Sequence, residues 1–133
     1  WETLHGRNPH NRFKFSSTVA KGKPAVTHYE IIESFGGAAS LARVTLSTGR
    51  THQVRVHFTD HGHPLLGDPL YQRRGFDPKV HALGETLGRQ ALHAAILGFD
   101  HPTLGRYMEF NAPLPPDMES LLFALRDLYP EHP

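Results

Sequence analysis

Two stretches rich in β-branched and aromatic residues, separated by a pair of glycines, constrain the fold of this chain most strongly. Residues 25–35 are dominated by valine, isoleucine, tyrosine and phenylalanine, and residues 41–46 alternate apolar with polar side chains. Both patterns are typical of β-strands. Gly36 and Gly37 leave room only for a short turn, so we predict that the two strands pair antiparallel.

Two helices are expected around these strands. Thr51 is a suitable N-cap for a helix that ends near Gly62, a residue type favoured just past a helix C-terminus. Near the end of the chain, residues 117–128 carry five apolar side chains at helical spacing, which predicts an amphipathic helix.

The other segments complete the predicted architecture. Residues 1–24 read as a loop or extended arm, and residues 63–80 as an irregular loop rich in proline and glycine. Residues 92–99 and 107–110 predict two further strands that form a hairpin across the turn at 100–105. We therefore expect an α+β domain, an antiparallel or mixed sheet with flanking helices, with the sheet and helices in residues 25–133.

Composition excludes several classes of protein. The chain has no cysteine, so disulfide scaffolds, thiol catalysis and cysteine-ligated zinc do not apply. No apolar run is long enough to span a bilayer, and the first residues lack the layout of a signal peptide. We expect a soluble, cytoplasmic domain with no membrane partner.

Charge is distributed unevenly along the chain. Residues 1–79 hold 11 lysines and arginines against 6 acids, and residues 80–133 hold 3 against 7. A basic segment of this kind indicates a polyanionic partner such as RNA, although a solvated surface would look the same. The cations expected to contact RNA are Arg7, Arg12, Lys21, Lys23, Arg73 and Arg74. Four side chains could stack on unpaired bases: Tyr29, His63, Tyr71 and Phe76.

The densest group of chemically active side chains lies at residues 49–57, which read Gly-Arg-Thr-His-Gln-Val-Arg-Val-His. A glycine turn leads here from a strand into a helix, and helix N-termini attract anions. Arg50 and Arg55 could bind a phosphate or carboxylate through two hydrogen bonds each. The alternative is a surface helix whose arginines pair with aspartates. Asp68, a nearby acid, is expected to be a turn residue that binds its own backbone.

Other catalytic classes are poorly supported. His57, His61 and His63 have a spacing that a zinc site could use, but the Glu of the zincin motif is absent. No Gly-x-Ser-x-Gly nucleophile turn occurs, and neither Walker nor dinucleotide-binding fingerprints are present. A metal-dependent hydrolase remains an alternative that stoichiometric zinc would support.

Residues 49–57 resemble the central motif of the RluA/RluD group of pseudouridine synthases. The resemblance continues through Gly-His-Pro-Leu-Leu-Gly-Asp-Pro-Leu-Tyr at 62–71, Arg-Gln-Ala-Leu-His-Ala at 89–94, His-Pro at 101–102 and Phe-Asn-Ala-Pro-Leu-Pro-Pro-Asp-Met at 110–118. Upstream, residues 7–12 and 22–29 also fit. The pattern is most similar to the D-type branch, which acts on large-subunit ribosomal RNA, and it implies the C-terminal half of that catalytic domain.

The resemblance implies isomerisation of a uridine flipped out of RNA, without metal or organic cofactor. It assigns to Arg55 the role of pairing with the nucleophilic aspartate. The family's Arg-Leu-Asp motif is absent, because the one Arg-Asp step is Arg126-Asp127 in the predicted C-terminal helix. Six further residues would bind the substrate, with either leucine lining the pocket: Arg50, Thr51, His52, Gln53, Leu65 and Leu66.

These implications lead to specific expectations. The chain alone should be inactive, with its partners being RNA and the missing N-terminal half of the domain. A divided sheet would expose edges, which favours self-association. The alternative is a non-catalytic RNA-binding module on the same scaffold.

Overall fold

The computed structural model of the chain describes residues 1–100 and 102–130, so His101 of the predicted 100–105 turn lies outside the described residues. Strands and helices alternate in groups, as expected for the α+β class. In chain order the elements are β1 (Glu2–Arg7), β2 (Phe15–Ser16), β3 (Lys23–Phe35), β4 (Ala39–Leu46), α1 (Gln53–Asp60), α2 (Pro78–Leu87), β5 (Ile96–Asp100), β6 (Tyr107–Asn111) and α3 (Pro116–Leu128).

The main sheet has four antiparallel strands in the order β2-β1-β3-β4. The predicted hairpin is confirmed: β3 pairs with β4 from Thr27 opposite Leu46 to Phe35 opposite Ala39, with a register shift between Ile31 and Glu33. The strands begin about two residues earlier than the sequence pattern indicated. This hairpin places the end of β4 directly before the cluster at residues 49–57.

The prediction of a loop or arm over residues 1–24 is wrong for β1 and β2. β1 pairs with the start of β3, with Glu2 opposite Val26, and with β2 on its other side. The inward-facing side of β1 carries Thr3 and His5, and His5 is buried. Because polar residues occupy the inward positions, the strand lacks the apolar alternation by which strands are recognised.

The apolar core lies where α2 and α3 pack against the far end of the β3–β4 hairpin. Its buried members are Phe35, Val80, Leu121, Leu122 and Leu125. The amphipathic helix predicted for 117–128 is confirmed as α3, since its buried side chains are the apolar ones at helical spacing.

Helix α2 was not anticipated, and its first residues fall in the predicted loop 63–80. The Asp77 carboxylate accepts hydrogen bonds from the backbone N–H groups of Lys79 and Val80, Pro78 occupies the first turn, and Gly88 ends the helix in the left-handed conformation. An N-cap acid, a proline at N1 and a glycine after the last turn are recognisable helix signals. The density of proline and glycine before Asp77 obscured them.

The second predicted hairpin is confirmed as β5 and β6, paired from Ile96 opposite Asn111 to Asp100 opposite Tyr107. Ile96, Leu97 and Tyr107 are more than half exposed on it. In the part of the chain that the structure describes, no helix is long and apolar enough to cross a membrane.

The β3–β4 turn provides a matched test of packing. Gly36 and Gly37 both have positive φ, but a Cβ on Gly36 would lie 2.1 Å from the Tyr129 ring, whereas a Cβ on Gly37 meets nothing within 4 Å. We expect Gly37→Ala to cost about 1–2 kcal/mol of unfolding free energy from backbone strain. Gly36→Ala should cost about 1–3 kcal/mol more, because the ring must move. Urea unfolding measures both, and equal losses would contradict the packing argument.

Candidate functional site

The N-terminus of α1 lies one residue later than predicted. His52, not Thr51, is the N-cap, with φ 56 in the left-handed region and no capping hydrogen bond from its side chain. Thr51 instead contributes its carbonyl oxygen, which lies 2.7 Å from Nε2 of the buried His5. The entry to α1 is therefore tied to β1, which the sequence pattern did not reveal.

Gln53 connects this entry to the sheet. Its buried amide nitrogen donates to the Val26 carbonyl at 3.0 Å and to the Thr27 hydroxyl at 2.9 Å. Its amide oxygen accepts from the Thr48 hydroxyl at 2.8 Å and from the Arg50 N–H at 2.9 Å. These four bonds use the full hydrogen-bonding capacity of the amide. Gln53 therefore holds the start of α1 against the sheet.

His57 forms the polar seam between α1 and the sheet. It is fully buried, and its two ring nitrogens lie 2.6 Å from the hydroxyls of Thr3 and Thr27. Burial lowers the pKa of His57 from 6.5 to about 4. A neutral imidazole, donating from one nitrogen and accepting at the other, fits this seam.

The lowered pKa of the buried His57 predicts that the stability of the fold depends on pH. The unfolded chain takes up a proton at His57 near pH 6.5 and the folded chain only near pH 4. Stability is therefore fully present above pH 6.5 and falls as the pH decreases towards 4, by up to about 3 kcal/mol. Urea midpoints measured between pH 7.5 and pH 4.5 should fall steeply for the wild type and less steeply for His57→Gln. His63→Gln, at an exposed position, is the control and should keep the wild-type slope.

Arg55 lies one turn into α1 and forms a two-pronged ion pair with Asp68. Its Nε donates to Oδ2 at 2.7 Å and its Nη2 to Oδ1 at 2.8 Å. The Arg55 side chain is 12% exposed and that of Asp68 is fully buried. Within residues 1–100 and 102–130, Nη1 of Arg55 has no hydrogen-bond partner. The guanidinium is held on one edge and keeps donors on the other.

Asp68 is also the turn residue that the sequence suggested. Its Oδ1 accepts the backbone N–H groups of Leu70 at 2.9 Å and Tyr71 at 3.0 Å. Burial favours the neutral acid, but hydrogen bonds from Arg55 and from these two N–H groups together hold the pKa of Asp68 below its ordinary value. The sequence therefore found the turn, and its alternative of arginines paired with aspartates is confirmed for Arg55, although the sequence did not single out Asp68, 13 positions away, as the partner.

Tyr71 lies beneath Arg55, with its ring centroid 5.0 Å from the guanidinium carbon. Its hydroxyl accepts the Phe15 N–H at 2.8 Å and lies 2.9 Å from Nδ1 of His52. Burial, followed by the Arg55 charge, lowers the pKa of His52. The suggestion that Tyr71 could stack on a base is wrong, because the residue is only 4% exposed.

The other residues predicted to bind the substrate occupy different positions. Arg50 donates from Nε to the Pro24 carbonyl at 2.8 Å. Leu66 packs against the apolar core and its carbonyl accepts the Ala91 N–H, whereas Leu65 is not part of that cluster. Of the two leucines, Leu65 is therefore the one that does not pack against this core.

The predicted RNA-contacting cations lie on several elements of the structure. Arg7, the last residue of β1, donates from Nη1 to the carbonyl of Arg12, in the loop that follows, at 2.8 Å. Arg73 covers the end of α1 through the Thr59 carbonyl at 2.8 Å. Three others are exposed at separate positions: Lys21, Lys23 and Arg74.

The histidines do not converge on a metal site. Both nitrogens of His57 are engaged by threonine hydroxyls, and Nδ1 of His61 lies 2.7 Å from the His57 carbonyl. Among the described residues, no group of three or more His, Cys, Asp or Glu side chains could hold a metal ion.

Comparison with known proteins shows which family this chain is similar to. Residues 3–60 match the family model described as RNA pseudouridylate synthase. The chain is 47% identical over 123 residues to ribosomal large subunit pseudouridine synthase D of Nitrosomonas europaea, covering 92% of this chain and 35% of that protein. It is 49% identical over 116 residues to the protein of the same name from Escherichia coli K12, covering 84% and 35%.

A solved structure is also similar. Human RNA Pseudouridylate Synthase Domain Containing 1 matches with a TM-score of 0.62 and 27% identity, over 94% of this chain and 58% of that one. The chain spans about a third of the length of the curated relatives. The matched region contains most of β1, the strands β2, β3 and β4, and α1, the helix that carries Arg55. The chain belongs to the RNA pseudouridylate synthase family.

Proposed function

We propose that the chain forms the part of a catalytic site that contains Arg55, and that this site isomerises uridine to pseudouridine in large-subunit ribosomal RNA, a cytoplasmic substrate. The observation that carries this proposal is the two-pronged hold of Asp68 on Arg55, which leaves the Nη1 donors available. A carboxylate approaching that edge would be kept ionised and aimed by a fixed positive charge. The buried Tyr71 ring beneath the guanidinium restricts its movement.

The nucleophile in this proposal is an aspartate supplied by residues outside this chain. It would attack the flipped nucleoside or assist departure of the base, which rotates and rejoins the ribose through carbon. No atoms are gained or lost overall, so the reaction needs no oxidant or reductant. Leu65 would provide an apolar surface beside the base, and Arg50, Thr51 and His52 would border it.

The exposed apolar hairpin β5–β6 suggests where the rest of the domain would pack. Ile96, Leu97 and Phe110 are all more than half exposed there. In the chain by itself these surfaces and the free edge of β4 would favour self-association.

The test compares the 133-residue chain with the full-length protein on large-subunit ribosomal RNA. Pseudouridine is detected as a reverse-transcription stop after carbodiimide treatment. We expect a new stop with the full-length protein and none with the chain alone. Turnover by the chain alone would refute the external nucleophile, and RNA binding by the full-length protein without isomerisation would favour a non-catalytic RNA-binding module.

A further inference from the structure

The loop between β1 and β2, residues 8–14, is braced by its own hydrogen bonds. The Asn8 N–H donates to the Lys14 carbonyl at 3.0 Å, and the Lys14 N–H donates to the Asn11 carbonyl at 3.0 Å. The Asn8 carboxamide oxygen accepts the N–H groups of His10 and Asn11, and that of Asn11 accepts the Phe13 N–H. The loop therefore has a defined shape before any partner binds, which reduces the entropy cost of binding.

The loop presents an aromatic ring to solvent. Phe13 is 72% exposed, among the highest values for a large apolar side chain in the described residues. The Arg12 guanidinium carbon lies 5.7 Å from the Phe13 ring centroid. Residues 7–14 carry Arg7, Arg12 and Lys14 and no carboxylate. An exposed ring among cations, on a preformed loop, combines the two features by which proteins bind single-stranded nucleic acid.

The loop is also connected to the Arg55 site. Phe15 donates its N–H to the Tyr71 hydroxyl at 2.8 Å, and the Tyr71 ring lies beneath Arg55. Only Lys14 separates Phe13 from Phe15, so their Cα atoms are at most about 7 Å apart. Phe13 thus lies on a loop that the Tyr71 hydroxyl ties to the Arg55 site.

We infer that Phe13 is a stacking platform for an unpaired RNA base next to the target uridine, with Arg12 contacting the adjacent phosphate. This inference rests on the proposed function, and it adds a base-contacting residue to it. Stacking on an aromatic ring tolerates any base, because every base has a π-face. Phe13 would therefore contribute affinity and position the strand without reading its sequence.

The experiment measures binding by fluorescence anisotropy with two dye-labelled single-stranded RNAs of equal length. One probe is intact, and in the other the nucleotides flanking one uridine are abasic. We expect Phe13→Ala to raise the Kd for the intact probe about tenfold and to leave the Kd for the abasic probe unchanged. Phe13→Tyr should retain wild-type affinity. Phe123→Ala is the matched control, since Phe123 is 75% exposed on α3.

Three results would overturn the inference: equal weakening on both probes, no weakening on either, or a Phe123→Ala effect as large as that of Phe13→Ala. No weakening on either probe would indicate that Phe13 is covered by protein. The proposed function is tested separately by the isomerisation assay. Isomerisation without base-dependent Phe13 binding refutes this inference alone, and base-dependent binding without isomerisation refutes the proposed catalysis alone.

Discussion

Replacing Arg55 by alanine is expected to lower kcat for uridine isomerisation by the full-length protein at least about 100-fold. The guanidinium is fixed by Asp68 on one edge and by the Tyr71 ring beneath it, so its charge is already aimed when the substrate arrives. Alanine removes the positive charge that would face the proposed nucleophile. Single-turnover kinetics with carbodiimide detection of pseudouridine measures the loss.

Lysine at the same position keeps the charge but not the two-pronged geometry, so Arg55→Lys should also be strongly impaired. Arg43→Ala is the control, because Arg43 forms an exposed ion pair with Glu30 on the β3–β4 hairpin. It should change kcat by less than a factor of about two, as expected for a surface pair. Activity of Arg55→Ala within a few-fold of wild type would refute the catalytic assignment.

Replacing Asp68 by alanine is expected to lower the free energy of unfolding by about 3–5 kcal/mol. The buried carboxylate accepts four hydrogen bonds, two from Arg55 and one each from the N–H groups of Leu70 and Tyr71. Alanine leaves all four donors without an acceptor in a site that excludes water. Urea denaturation at pH 7.5 measures the change.

Glu30→Ala removes a carboxylate from an exposed pair and should alter stability little. The double variant Arg55→Met with Asp68→Leu should recover part of the stability lost in Asp68→Ala, since no buried charge is then left unpaired, while the N–H groups of Leu70 and Tyr71 still lack their acceptor. It should not recover isomerisation. A loss below about 1 kcal/mol in Asp68→Ala would show that the pair is solvated.

Local patterns predicted the elements rich in apolar residues, both where the fold buries those residues, as in α3, and where it leaves them exposed, as in β5–β6. The β3–β4 hairpin, the β5–β6 hairpin and α3 were found because valine, isoleucine and leucine recur at the strand or helix period. Helix α1 was found from the signals at its two ends, although its N-cap was placed at Thr51 instead of His52 and its buried residues are mostly polar. A left-handed histidine at that position has no sequence signal, because glycine or asparagine is the usual choice.

Polar contacts between distant segments escaped prediction. β1 was missed because Thr3 and His5 face inward, where their partners are His57 and the Thr51 carbonyl. Gln53 was predicted to bind substrate. In the structure its buried amide instead binds β3 and the connection between β4 and α1. Such contacts follow from which strands pair, and no local pattern encodes them.

The sequence by itself determined the α+β class, the main hairpins and, through the motif at 49–57, the family and the choice of Arg55 as the candidate catalytic residue. Only the tertiary structure decided what holds Arg55: Asp68 on one edge, Tyr71 beneath, and through Tyr71 the braced loop that carries Phe13. The physical reason is that periodicity is a local property of the chain. The pairing of buried charges depends on which distant segments the fold brings within hydrogen-bonding distance.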